Sequence, residues 1–184
     1  MRTLVLAVFS LLFSLQSTAV IASPESPQLI DQMGKTFTLQ SLQGRPLIVT
    51  FVSAHCQDAC PLVNAQFSEA ATRIAQQRLS TRLLTITLDP QHDPPNVMRA
   101  LARRFDANPY YWLVASGPPN DVDAVLNAYG VVAKPGKSGY RELHTTFVYV
   151  FNARGILTKT MLASTNLTDD IVAQARAMAP ATAR

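Results

Sequence analysis

A mixed α/β sandwich, one sheet flanked by helices, is the fold class this sequence predicts, and two observations predict it. Short apolar, β-branched runs alternate with stretches of helical spacing through most of the chain, which then ends in a strand pair and one helix. No internal repeat, low-complexity block or linker interrupts that succession after the first 27 residues. A length of 184 residues suits one domain plus a targeting segment. Hydrophobic residues at 48% and charged residues at 15% exclude a disordered chain. The net charge of +4 comes from scattered Lys and Arg, with Arg103-Arg104 the one pair, so no nucleic-acid stripe is present.

Residues 1–22 read as an export signal. Arg2 is the positive start, Leu4 to Leu15 the apolar run, and Val20-Ile21-Ala22 the approach to cleavage after Ala22. If retained, the segment would anchor the protein to the inner membrane; if cut, it leaves a soluble periplasmic protein. No cysteine stands there for lipid attachment. Residues 23–27, with two prolines, form a tether, and residues 28–184 form the domain.

Within the domain, Lys35–Leu39 alternates with period two and predicts a strand after a turn at Met33-Gly34. Pro46–Val52 is a continuous apolar run of the kind that fills a central strand. Pro61 opens a helix with Val63, Phe67, Ala70 and Ile74 inward. Arg82–Leu88 is a second buried strand. Asp93 is placed to cap a helix beginning at Pro94, with Val97, Leu101 and Phe105 inward. Tyr110–Val114 is a short strand, and Asp121 caps a helix over 122–129. Residues 135–139 form a loop. Thr145–Phe151 and Ile156–Met161 are strands joined by a turn ending at Gly155, and a final helix follows Asn166. This order is the thioredoxin-like arrangement.

Cys56 and Cys60, the only cysteines, lie between the first buried strand and its helix, where α/β folds place chemistry. Along a helical turn, Cα atoms four apart are about 6 Å from each other, near enough for a disulfide or a shared metal. The helix start favours thiolate and predicts two nucleophilic sulfurs. Three readings follow: a structural disulfide, thiol–disulfide exchange, or binding of a soft metal such as Cu(I). Of the three histidines, His55 reads as a surface or supporting residue and His92 as a solvated loop residue. His144, at the start of a strand, has structural service as its ordinary role.

Four blocks in order change that balance. They are Asp31–Lys35 through Leu42–Leu47; Phe51–Pro61 with its Cys-x-x-x-Cys-Pro; Leu88-Asp89-Pro90-Gln91-His92-Asp93-Pro94-Pro95; and His144–Phe147 through Asn152–Gly155. Together they resemble the Sco/SenC family of copper-binding cytochrome c oxidase assembly proteins. The resemblance implies a thioredoxin-like fold with Cys56, Cys60 and His144 as copper ligands and Asp89 as a supporting carboxylate. It implies Cu(I) held mainly by the two sulfurs and Cu(II) by the sulfurs plus the imidazole. It further implies a copper metallochaperone for the binuclear copper site of the oxidase, dependent on an upstream thiol reductant.

Two other functions stay open on the same residues. One is a thiol–disulfide oxidoreductase that reduces the cysteines of the oxidase subunit, with Cys56 attacking and Cys60 resolving. The other is a copper or redox sensor. Ser53-Ala54-His55 and Gln57 depart from the family pattern, as does Thr145-Thr146 after the histidine, but no ligand is lost. The Cys-x-x-x-Cys spacing and the lack of proline at 142–150 separate the chain from ordinary thioredoxins. Three ligands rather than four argue against structural zinc.

Overall fold

The computed structural model describes residues 26–57, 59–136, 139–142 and 146–179. Residues 1–22, read above as an export signal, and residues 23–25 of the expected tether lie outside them. Among the described residues no helix is long and apolar enough to cross a membrane.

The chain forms β1 (Leu29–Asp31), β2 (Thr36–Phe37), a 3-10 turn (Gln40–Leu42), β3 (Leu47–Val52), α1 (Ala59–Gln76), β4 (Arg82–Thr87) and α2 (Pro95–Arg104). There follow β5 (Trp112–Ser116), α3 (Pro119–Ala128), β6 (Lys134–Pro135), β7 (Arg141–Glu142), β8 (Phe147–Phe151), β9 (Leu157–Leu162) and α4 (Leu167–Ala177). Seven strands make one sheet in the order β2-β1-β5-β4-β3-β8-β9, and β6 pairs with β7 alone. The three central strands run parallel, while β1, β2, β8 and β9 pair antiparallel, so the sheet is mixed as expected.

Strand β3 is buried at all six positions because both its faces are covered. Ile48 and Val52 join the core beneath α1, α2 and α4, with Val63, Phe67, Ile74 and Ile171. Leu47, Val49 and Phe51 face the other way, toward Val122, Val125 and Leu126 of α3. The ring of Phe51 meets Tyr129 and Tyr149 edge-on at 5.1 and 5.9 Å. Across the α1 side, Gln66 Nε2 donates to the carbonyls of Ser164 and Thr165 at 2.9 and 3.1 Å, tying α1 to the start of α4.

Two capping expectations are corrected. Pro94 and Pro118 occupy the positions before α2 and α3, and neither helix has a side-chain cap. Asp121 lies inside the first turn of α3, where a negative charge still suits the helix dipole. Asp93 is fully buried and its carboxylate is used elsewhere. Helix α1 begins two residues before Pro61, which remains in the first turn, where a missing amide hydrogen costs nothing. Strand β5 starts at Trp112, not Tyr110. The Trp112 ring is buried and its Nε1–H donates to Thr85 Oγ1 at 2.9 Å, whereas Tyr110 is 60% exposed. In α2 Met98 and Ala102 are fully buried; Leu101 and, just past the helix, Phe105 pack against the same core as expected, partly buried. Of the expected 135–139 loop, Pro135 belongs to β6, which pairs with β7, and residues 137 and 138 lie outside the described residues. Gly155 adopts φ +75, as the turn before β9 requires.

Phe67 has no exposed surface and packs against Trp112 at 6.0 Å between ring centroids. Phe67→Ala should cost about 3–5 kcal/mol of unfolding free energy, read by chemical denaturation. A loss under about 1 kcal/mol, the size of a surface substitution, would contradict this core assignment.

Candidate metal and redox centre

Strand β3 ends at Val52, and the chain turns through Ser53–Gln57 before α1 begins at Ala59. The Cys56 amide donates to the Ser53 carbonyl at 3.3 Å, and the His55 amide to Ser53 Oγ at 3.3 Å. Cys56 therefore sits in the loop and Cys60 in the first turn of the helix. The two are brought together by the loop's fold, not by a shared helical turn. Both are free thiols, Cys56 half-buried and Cys60 buried.

Burial pushes the Cys60 thiol up to about 12, helped by a hydrogen bond with the Cys56 sulfur and by the nearby Asp93. The backbone of Ser53 pulls the other way but does not win. This corrects the expectation that the helix start would activate both sulfurs. At Cys60, desolvation outweighs the dipole.

Behind the loop, two buried aspartates organise the ends of three strands. Asp93 Oδ2 accepts the Ala54 amide and Thr87 Oγ1–H, both at 2.9 Å. Its own carbonyl accepts Ser116 Oγ–H at 2.7 Å. Burial raises the Asp93 carboxyl above the usual range, against the pull of those hydrogen bonds and of His55. Oδ1 has no hydrogen bond and faces His55 Nε2 at 3.5 Å. Asp89 is equally buried. Its Oδ2 accepts the Arg141 amide at 2.9 Å and lies 2.8 Å from His92 Nδ1.

Arg141 belongs to the β6–β7 hairpin, so Asp89 ties that hairpin to the end of β4. A second tie is aromatic. Tyr140 stacks on His55 at 4.2 Å, with 8° between the planes, and His92 meets the same ring edge-on at 4.8 Å. His55 Nε2 also lies 3.2 Å from the His92 carbonyl.

The structure thus brings Cys56 and Cys60 together and fixes Asp89 under the hairpin leading toward His144. His144 itself lies outside the described residues. Among the described residues no group of three His, Cys, Asp or Glu side chains forms a metal site. What is described is a pair of free thiols, soft sulfur donors of the kind that suit Cu(I). Sequence reasoning missed Asp93, Tyr140 and the joining roles of His55 and His92. The tyrosine after a glycine-rich loop, and two histidines near the cysteine and Asp-Pro blocks, were the signals available.

A thioredoxin-like domain with a free, unequal dithiol at its β3–α1 junction defines a class: thiol-based redox or soft-metal proteins. The SCO1/SenC family model matches residues 22–179, and the chain belongs to that family. It is similar to the SCO1 protein homolog of Bacillus subtilis, 20% identical over 131 residues, covering 70% of this chain and 68% of the relative. It spans about two thirds of the length of the curated relatives it matches. Bradyrhizobium japonicum ScoI with copper bound superposes with a TM-score of 0.71 at 29% identity, over 82% of this chain and 96% of that one. A SCO1/SenC family lipoprotein of Bacillus anthracis shares the fold at TM-score 0.73 and 20% identity, over 84% of this chain and 93% of that one. BsSco, described with a disulfide switch as a member of the Sco family of cytochrome c oxidase assembly proteins, shares it at TM-score 0.70 and 21% identity, over 82% and 90%.

The unequal thiols give a pH and reactivity prediction for the reduced, metal-free protein. Burial holds the proton on Cys60 well above the ordinary thiol value, so at pH 7 its thiolate is scarce. Alkylation should therefore modify Cys56 first, with Cys60 following slowly and accelerating toward pH 12. The native thiol keeps its proton above the ordinary value of 9.0, so native protein binds more protons than unfolded between pH 9 and 12. Stability is then full below that window and falls as pH rises through it. Equal alkylation of both thiols at neutral pH, mapped by peptide mass, would refute the asymmetry.

Proposed function

We propose that this chain is an exported copper metallochaperone for cytochrome c oxidase, with copper as its cargo. Cys56 and Cys60 are its sulfur ligands, His144 supplies the imidazole, and Asp89 supports the hairpin from which His144 follows. The observation that carries this reading is the free Cys56–Cys60 pair in a chain of the SCO1/SenC family. Copper-bound ScoI, the 29%-identical structural relative, supports it. Residues 1–22 are the export signal or inner-membrane anchor, residues 23–27 the tether, and the domain works in the periplasm. The receiving partner is the copper-site subunit of the oxidase. An upstream thiol reductant keeps the pair open, delivering two electrons and two protons for each disulfide reduced.

A second reading is favoured by the inequality of the thiols. Half-buried Cys56 is the accessible nucleophile and buried Cys60 the resolving partner, the arrangement thiol–disulfide exchange needs. BsSco, with its described disulfide switch, gives this reading a family precedent.

Anaerobic titration of the reduced, exported protein with Cu(I) and then Cu(II) separates the two. Chaperoning predicts stoichiometric uptake of one copper per chain, abolished by Cys56→Ser or Cys60→Ser. His144→Ala should weaken Cu(II) at least tenfold, roughly the loss seen when ligand support is removed, and spare Cu(I). Substoichiometric copper alongside efficient disulfide reduction of a peptide substrate would reverse the ranking. Cu(II) uptake unchanged in His144→Ala would remove His144 from the ligand set.

A further inference from the structure

At the end of the sheet remote from the cysteines, two guanidinium groups share one carbonyl. Arg45 stands just before β3, and Arg82 opens β4, paired with Leu47. Arg45 Nη1 and Arg82 Nε both donate to the Tyr110 carbonyl, at 3.3 and 3.4 Å. Arg45 Nε donates to the Ser80 carbonyl at 2.6 Å, and its guanidinium lies 4.5 Å from the centre of the Tyr110 ring. All of these partners are neutral. Among the described residues neither arginine forms an ion pair.

Two like charges held together in this way lack a counter-charge. Burial, and after it the charge of Arg45, hold Arg82 below the ordinary arginine value. Arg45 Nη2 is buried and has no hydrogen-bond partner, which leaves a charged donor without an acceptor. Arg82 engages only its Nε. Its two terminal nitrogens have no hydrogen-bond partner among the described residues, and their spacing fits two oxygens of one oxyanion. Arg82 and Tyr110 line a cleft of about 680 Å³ together with Lys35 and Thr36. The carboxylate lining that cleft, Asp31, is already occupied: its Oδ1 accepts the amides of Met33 and Lys35 at 2.8 and 2.9 Å. Arg82, Lys35 and Arg45 thus set three positive charges against one negative charge.

We infer that Arg45 and Arg82, joined through the Tyr110 carbonyl, form a binding site for a dianionic phosphate, inorganic or the terminal group of a phosphate monoester. The Arg82 fork contacts the oxyanion from the cleft, and the anion's charge offsets the repulsion between the two guanidiniums. A dianion suits the site better than a single carboxylate or a phosphate diester, because two fixed charges stand behind it. The site is separated from the dithiol by the length of β3, six residues or about 20 Å. Its occupant therefore does not compete for Cys56 and Cys60, and the inference does not depend on the proposed copper reading.

Titration of the full chain with inorganic phosphate, at ionic strength held constant with chloride, tests the site. The NMR signals of Arg82 Nε–H and the Tyr110 amide should shift and saturate. Arg82→Gln should weaken binding about tenfold or more, the loss expected when one charged hydrogen-bonding partner goes. Arg45→Gln should weaken it as well; if that variant fails to fold, Arg82→Gln alone decides. Arg154→Gln removes an exposed arginine from the turn between β8 and β9 and should leave the affinity unchanged. Dimethyl phosphate, a monoanionic diester with the charge of a phospholipid headgroup, should bind more weakly than inorganic phosphate. Three outcomes overturn the inference: no saturable shift, equal weakening by Arg154→Gln, or dimethyl phosphate bound as tightly as inorganic phosphate.

Discussion

A carboxylate with no exposed surface must be satisfied by protein, and the loop bearing Cys56 is folded around satisfying Asp93. The Ala54 amide, from beyond β3, and Thr87 Oγ1–H, from the end of β4, donate to its carboxylate, and Ser116 Oγ–H, from the end of β5, donates to its backbone carbonyl. Three neighbouring parallel strands are therefore pinned at one end through one residue. The Ala54 amide sets the path of the chain two residues before Cys56, so the sulfur's location is inherited from this buried group. Removing it would leave a buried amide and hydroxyl unpaired, at about 1–3 kcal/mol each. Position and stability are coupled at the same atom.

Asp89 does for the hairpin what Asp93 does for the cysteine loop. The two are four residues apart in one turn, where the Asp89 carbonyl accepts the amides of His92 and Asp93 at 3.1 and 2.8 Å. One carboxylate faces the β3–α1 loop and the other the Arg141 amide. The Leu88–Pro95 block thus joins the two segments on which the proposed ligands are carried. His55 and Tyr140 close the same gap from the solvent side by stacking. The junction is polar and ordered behind, aromatic in front, with the sulfurs on the loop and helix it fixes.

The buried strands and α1 were legible because their apolar periodicity is dictated by a core that covers both faces of the sheet. The Cys-x-x-x-Cys-Pro segment was legible because two cysteines at a strand-to-helix junction have few other uses. Asp93 was not. Before Pro94-Pro95 an aspartate has the sequence signature of a helix cap, and only tertiary structure shows that Ala54 and Thr87 claim its oxygen first. Strand β1 escaped because three residues carry too little periodicity to stand out. The hairpin escaped for the opposite reason. It has almost no propensity of its own and exists through Asp89, Arg141 and Tyr140, which are contacts distant in sequence.

The inequality of the two thiols follows from the same architecture. The loop must leave β3 toward Asp93 before α1 can begin, which keeps Cys56 at the surface and draws Cys60 under the helix start. Burial then holds a proton on Cys60 that a helix terminus alone would help to release. A thiol that keeps its proton is a poor nucleophile, so half-buried Cys56 is the more reactive of the two sulfurs. The partial exposure of Cys56 and the burial of Cys60 are a division set by where the Asp93 carboxylate pins the loop.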